Sequence, residues 1–400
     1  MVFRCLLVIL AVCKVSADRA PYYSYDMSID GQFIIGIEPD EDPYELKKRL
    51  LDELGSHNIG IDHILEAGPR VILAKFDPKF ADQVCDMSGV AYLEADGPMV
   101  MQGSKPPATG PELPEWNLDR VNQRDLPLDG NADYAGDGGN GTHVYLLDSG
   151  LFKGHVAFEG KEKLSFDARS EKGNDCNGHG THAGAIIVSK RYGIAHNATI
   201  HGVRVVGCRG HTTISLACRG INYVARKRRL PCVMQIGSIT EEGISPSLDE
   251  GVRVISKLGC VVVVPAGNNG NDACLQSPSR SEEVITVGAL AHWDYIHQNS
   301  NWGKCVDIFA PGQNVRSAWY ISTVDNDTLS GTSMSASHVT GAALLKLSSG
   351  IKPEKVKARL IKEATKGRMH GVMNGSPSRI LYIKPPQVKP PRTPKPRTEL

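Results

Sequence analysis

Four short segments of the chain carry side chains suited to acyl-transfer chemistry. Val144-Tyr145-Leu146-Leu147-Asp148-Ser149-Gly150 reads as an apolar strand that delivers a carboxylate, Asp148, at its C-terminal end. In open parallel sheets, that edge is where ligand-handling groups gather. Asn177-Gly178-His179-Gly180-Thr181-His182 opens a helix with an imidazole between two glycines, and histidine is the natural general base near neutrality. Val264-Pro265-Ala266-Gly267-Asn268-Asn269-Gly270 ends a second strand, where the Asn268 amide could donate to a developing oxyanion. Ser330-Gly331-Thr332-Ser333-Met334-Ser335-Ala336-Ser337-His338-Val339 puts Ser333 at the start of an apolar helix, whose backbone N–H and dipole favour the same negative charge.

Each segment also has a plainer reading. Asp148 could close a turn, Asn268 could belong to an Asn-Gly turn, and Ser333 could simply cap a helix. His179 and His182 could bind a metal, although no third ligand stands at a standard spacing. No G-x-S-x-G elbow surrounds Ser333, which argues against a lipase-like site. The joint occurrence favours one mechanism. Asp148 orients His179, His179 deprotonates Ser333, Ser333 attacks a carbonyl, and Asn268 with the Ser333 amide holds the oxyanion.

The elements that must position these groups are legible as two units. From Gly31 to about Val100 the pattern is β-α-β-β-α-β, a ferredoxin-like α+β unit. Its strands are Phe33–Ile37, Ile59–Ile64, Val71–Ala74 and Val90–Leu93, and its helices are Tyr44–Leu54 and a segment starting at Pro78. A connector bearing Gly103-Ser104-Lys105-Pro106-Pro107 follows. From Asn131 to Ile383 strands alternate with helices. His143–Leu147, Thr199–Val206, Cys232–Ile236, Cys260–Pro265 and Glu283–Val287 are mostly apolar runs, the signature of a parallel sheet buried on both faces. Helices near 180–189, 213–228, 247–258, 333–348 and 353–364 supply the crossovers, making this second unit α/β.

Composition narrows the function classes. The 400 residues carry 45 basic and 44 acidic side chains, a net of +1, without the basic excess of a nucleic-acid binder. Residues 1–17 combine an early Arg4, an apolar run and a Val15-Ser16-Ala17 end, which reads as a cleaved signal peptide leading to secretion. No longer apolar run supports a membrane span. Seven cysteines follow the N-terminal unit, an odd number that leaves a free thiol or an intermolecular bridge. Asn140, Asn197, Asn326 and Asn374 lie in glycosylation sequons. Arg226-Lys227-Arg228-Arg229 reads as a solvated helix C-terminus. The Pro-rich basic segment 384–400 reads as an extended tail.

The motifs Asp148-Ser149-Gly150, His179-Gly180-Thr181-His182, Ala266-Gly267-Asn268 and Gly331-Thr332-Ser333-Met334, in this order, resemble those of subtilisin-like serine proteases of the proteinase K-like and secreted convertase-like branches. The resemblance runs from about Trp116 to Thr365, and Gly31 to Val100 resembles the family's inhibitor-type propeptide. It implies a propeptide at 18–102 that acts as an intramolecular inhibitor, and a catalytic domain at 103–383. It further implies autocatalytic cleavage at Gln102 and endopeptidase action on protein or peptide substrates. Substrate would add as a strand along Val233–Gly237, with Gln235, Ile236 and Gly237 as binding residues. No cofactor is implied for the chemistry. A structural calcium would sit on Asp307 with the carbonyls of Glu282 and Val284, and bridges would join Cys176 to Cys208 and Cys274 to Cys305. The chain departs from the family pattern where Ala183-Gly184 follow His182 at once, and at Ser238, Ser335 and Ser337. An alternative reading is a binding protein that cuts itself once and keeps its propeptide as a plug.

Overall fold

The computed structural model describes residues 19–105, 116–170, 174–241, 243–371 and 374–386. The expected signal peptide and most of the expected tail lie outside the described residues. The N-terminal domain contains β1 (Tyr22–Tyr23), β2 (Gln32–Ile37), α1 (Pro43–Leu54), β3 (Ile59–Leu65), β4 (Val71–Phe76), α2 (Ala81–Cys85) and β5 (Val90–Ala95). Asp42 caps α1 by accepting from the N–H groups of Tyr44 and Glu45, with Pro43 in the first turn. The strand order β1-β5-β2-β4-β3 gives the split β-α-β arrangement expected from the pattern. Phe33, Ile35, Leu46, Leu50, Ile72 and Leu93 fill a core of its own.

After β6 (Pro98–Met101) come α3 (Trp116–Asn122), β7 (His143–Asp148), β8 (Glu162–Asp167), α4 (His179–Val188), β9 (Thr199–Arg204), β10 (His211–Thr213), α5 (Ile214–Lys227), β11 (Cys232–Ile236) and β12 (Ser238–Thr240). The chain continues through α6 (Pro246–Lys257), β13 (Cys260–Pro265), β14 (Ile285–Leu290), β15 (Ile308–Pro311), β16 (Val315–Ala318), β17 (Asn326–Leu329), α7 (Thr332–Ser348), α8 (Pro353–Glu363), β18 (Thr365–Lys366) and β19 (Arg379–Ile380). Nine strands form one sheet in the order β18-β19-β15-β14-β13-β11-β7-β9-β8, parallel throughout except at β18.

The alternation of side chains along each strand divides the core in two. Val144, Leu146, Val233 and Val263 face a layer that includes residues of α4, α7 and α8. Tyr145, Leu147, Met234 and Ile236 face α5 and α6. Helices α5 and α6 are amphipathic and capped by Thr213 and Ser245. In contrast, α7 is buried almost all round, which places it in the interior and fixes whatever its first turn carries.

Among the described residues there are three disulfides. Cys176–Cys208 and Cys274–Cys305 match the implied bridges, and Cys232–Cys260 joins residues directly opposite on adjacent strands. Cys218 is left as a buried free thiol, pushed up in pKa by burial.

Candidate active site

The chain crosses from β9 to β11 over β7, so the strand order reverses there, and the crevice above the C-terminal ends of β7 and β11 is the natural site for chemistry. Asp148 is the last residue of β7, and His179 begins α4. His179 Nδ1 stands 2.8 and 2.9 Å from the two Asp148 carboxylate oxygens. Burial alone would lower the His179 pKa, but the charge and hydrogen bond of Asp148, with the charge of Asp175, leave it raised. The close Ala183-Gly184 spacing leaves α4 a continuous, fully buried helix.

Ser333, in the first turn of α7, faces the same crevice from the other side. Its amide donates to the carbonyl oxygen of Gln102 at 2.9 Å, while its hydroxyl donates to Gly237 O at 3.1 Å. Asn268 Oδ1 accepts from the Thr332 amide at 3.0 Å, which leaves Nδ2 as the donating end of that side chain. Gly331 has φ 147°, and a Cβ there would stand 2.3 Å from Gln102 O and 2.8 Å from Asn268 Nδ2. The carbonyl oxygen therefore lies in a pocket that only glycine leaves open. A Cβ on Gly103 would stand 2.9 Å from His179 Nε2, a buried nitrogen without a hydrogen-bond partner. The Gln102–Gly103 peptide thus spans the gap between Ser333 and His179. The Gln102 side chain is enclosed, and its amide folds back onto Val100 O at 2.8 Å.

The expected substrate edge needs correction. Gln235 and Ile236 lie in the middle of the nine-stranded sheet, and the Gln235 amide is spent on Ser337 and Thr340. Only Gly237 of the three touches the bound segment, accepting from Gln102 N at 3.2 Å. Strand β6 instead lies antiparallel between β10 and β12, with Val100 opposite both His211 and Ile239. A central strand has no free ladder to offer, whereas these two short edges do.

The metal expectation is corrected as well. Lys357 Nζ lies 2.8 Å from Asp307 Oδ2 and donates to the carbonyls of Glu282 at 3.0 Å and Val284 at 2.7 Å. All three oxygens are committed to one ammonium, so this donor set does not fit a calcium ion, which would need the same oxygens at about 2.3–2.6 Å. His182 is no metal ligand either. Its Nε2 faces the carbonyls of Val315 and Asp327, and burial holds the ring neutral with a pKa of about 3. Among the described residues no cluster of three His, Cys, Asp or Glu could hold a metal.

Sequence reasoning missed Asp175. Its buried carboxylate accepts from the amides of Asn177, Gly178 and Thr181 and from the hydroxyls of Ser149 and Thr181. Ser149 Oγ in turn accepts from Gly180 N. This network ties the end of β7 to the start of α4 and so fixes Asp148 against His179. An acid just ahead of a helix start was the available signal. The departures at Ser335 and Ser238 leave two buried hydroxyls without partners, while Ser337 Oγ donates to Ser333 O at 2.9 Å.

A parallel sheet with Asp, His and Ser at its C-terminal crevice defines a subtilisin-like hydrolase, and the comparisons agree. The chain belongs to the subtilase family, whose model matches residues 139–376. It is 38% identical over 346 residues to an extracellular serine proteinase of Thermus sp. (strain Rt41A), covering 85% of this chain and 82% of that protein. It is 34% identical to alkaline serine exoprotease A of Vibrio alginolyticus, covering 82% and 61% respectively. A crystal structure of a cold-adapted subtilisin-like serine proteinase superposes with a TM-score of 0.64 at 37% identity, covering 67% of this chain and 97% of that one. The protein is a serine-type endopeptidase of this family. No helix among the described residues is long and apolar enough to cross a membrane.

Proposed function

We propose that the chain is a secreted zymogen that cuts itself between Gln102 and Gly103 and then hydrolyses protein substrates by the same chemistry. The observation that carries this reading is the Gln102 carbonyl oxygen, held by the Ser333 amide with Gly103 against His179 Nε2. Ser333 Oγ rotates from Gly237 O towards His179 Nε2, gives up its proton there and attacks the Gln102 carbonyl carbon. The negative charge moves to the carbonyl oxygen, where Ser333 N–H and Asn268 Nδ2 receive it. His179 returns the proton to the Gly103 nitrogen, the C–N bond breaks, and water later releases the acyl group by the reverse sequence. Asp148 holds the His179 tautomer and stabilises the imidazolium.

The N-terminal domain is the intramolecular inhibitor. Its Asp96 accepts from Ser215 N and Oγ at the start of α5, and its Glu94 from Ser247 N at the start of α6. These contacts also favour the plugged-binder reading, in which the cut fragment stays bound. Wild type and Ser333→Ala, secreted from cells expressing the full chain, are compared by denaturing gel and intact mass. Cleavage after Gln102 in wild type alone is the expected result, and two uncut chains overturn it. A fragment that copurifies with an inert domain supports the plug.

A further inference from the structure

Past the Gln102–Gly103 bond, Ser104 and Lys105 also make contacts with the catalytic domain. Ser104 and Ser330 exchange two backbone hydrogen bonds, each 2.8 Å, so the register of Lys105 is set. Its ammonium stands 2.5 Å from Asp327 Oδ2 and 5.0 Å from the centre of the Trp319 ring.

Both partners are themselves held. Asp327 Oδ1 accepts from Thr328 N at 2.8 Å, which leaves Oδ2 for the ammonium. The Trp319 ring packs edge-on to His182, 6.3 Å between centroids, and against Gly178, where a Cβ would stand 2.5 Å from it. Gly178 has φ 105° and precedes His179, so the platform abuts the catalytic helix. An aromatic face and a carboxylate converging on one point select a cation.

We propose that Trp319 and Asp327 form a specificity subsite for lysine or arginine at the third position after the cleaved bond of protein substrates. This assignment rests on the reading that the Gln102–Gly103 bond occupies the cleft as a substrate does.

The test uses secreted wild-type enzyme and three quenched peptides of the Pro98–Lys105 sequence, with Lys, Ala or Glu at the last position. The order of kcat/KM is Lys above Ala above Glu, with Lys over Ala by roughly three- to tenfold, since the pair is partly exposed. The advantage shrinks in high salt. Asp327→Lys inverts the order, and Trp319→Ala lowers the Lys-to-Ala ratio. Equal rates for all three peptides in wild type, cut at the Gln–Gly bond, overturn the subsite while leaving the processing reading intact. Failure to cut any of them at that bond overturns turnover of substrates in this cleft and the subsite with it, while self-processing is read separately from the gel and intact mass of the full chain.

Discussion

The amide of Ser333 and the carbonyl of Gln102 meet at 2.9 Å, one from the first turn of a buried helix and the other from the end of a strand donated by the N-terminal domain. The contact exists because β6 is clamped on both edges, which delivers its next peptide bond to the pocket under Gly331.

Asn268 is the side-chain half of that pocket. Asn268→Ala removes one oxyanion donor and slows both self-cleavage and peptide turnover by about a hundredfold or more. The effect falls on kcat with KM little changed, as measured by pulse-chase of the joined chain and steady-state kinetics of the processed one.

Asp175 acts on His179 without touching the substrate. Its negative charge helps to raise the His179 pKa, so removing that charge lowers it. Catalysis needs neutral His179, so the acidic limb of kcat/KM in Asp175→Asn moves to lower pH. A drop in rate with an unmoved limb assigns Asp175 a purely structural role.

Glu94 makes the grip of the N-terminal domain depend on pH. Burial pushes its carboxyl up from 4.5 to about 7, against hydrogen bonds from Ser245, Ser247 and Tyr25. A raised pKa means that this contribution is complete below the ordinary value and is lost as pH rises through about 7. The melting temperature of the uncut Ser333→Ala chain therefore falls between pH 5 and 8. Adding Glu94→Gln, which keeps the group neutral, flattens the fall.

Lys357 replaces an ion with a side chain. Wild type melts at the same temperature with calcium or with chelator. Lys357→Met strands a largely buried carboxylate and two carbonyls, costing about 1–3 kcal/mol, and calcium then restores part of the loss. A calcium-dependent melting temperature in wild type refutes this.

Much of the scaffold was legible because burial writes itself into pattern. The all-valine run Val261 to Val264 reads as a strand covered on both faces, and Leu46, Leu50 and Leu54 read as the inner stripe of a helix, as found. The meeting of Asp148, His179 and Ser333 at one crevice was legible because each sits at an element end within two residues of a glycine. The two edges that flank β6 were not. His211–Thr213 and Ser238–Thr240 have no apolar alternation, and the strand each pairs with is β6, from a distant part of the sequence. Asp175 is read as a turn acid until folding brings its five donors together. Lys357 looks like any charge on an amphipathic helix, and the carbonyls it caps lie some seventy positions away in sequence. Cys232 and Cys260 pair because two non-consecutive strands share a register that no spacing rule announces.

The stability that a dissociable ion confers grows with the logarithm of its free concentration and fades on dilution. The ammonium of Lys357 has no free concentration, because α8 holds it covalently beside Glu282, Val284 and Asp307. Mass action does not apply to it. Its occupancy is fixed at one in any medium that leaves the fold intact, so a sequestering environment removes nothing from this part of the molecule.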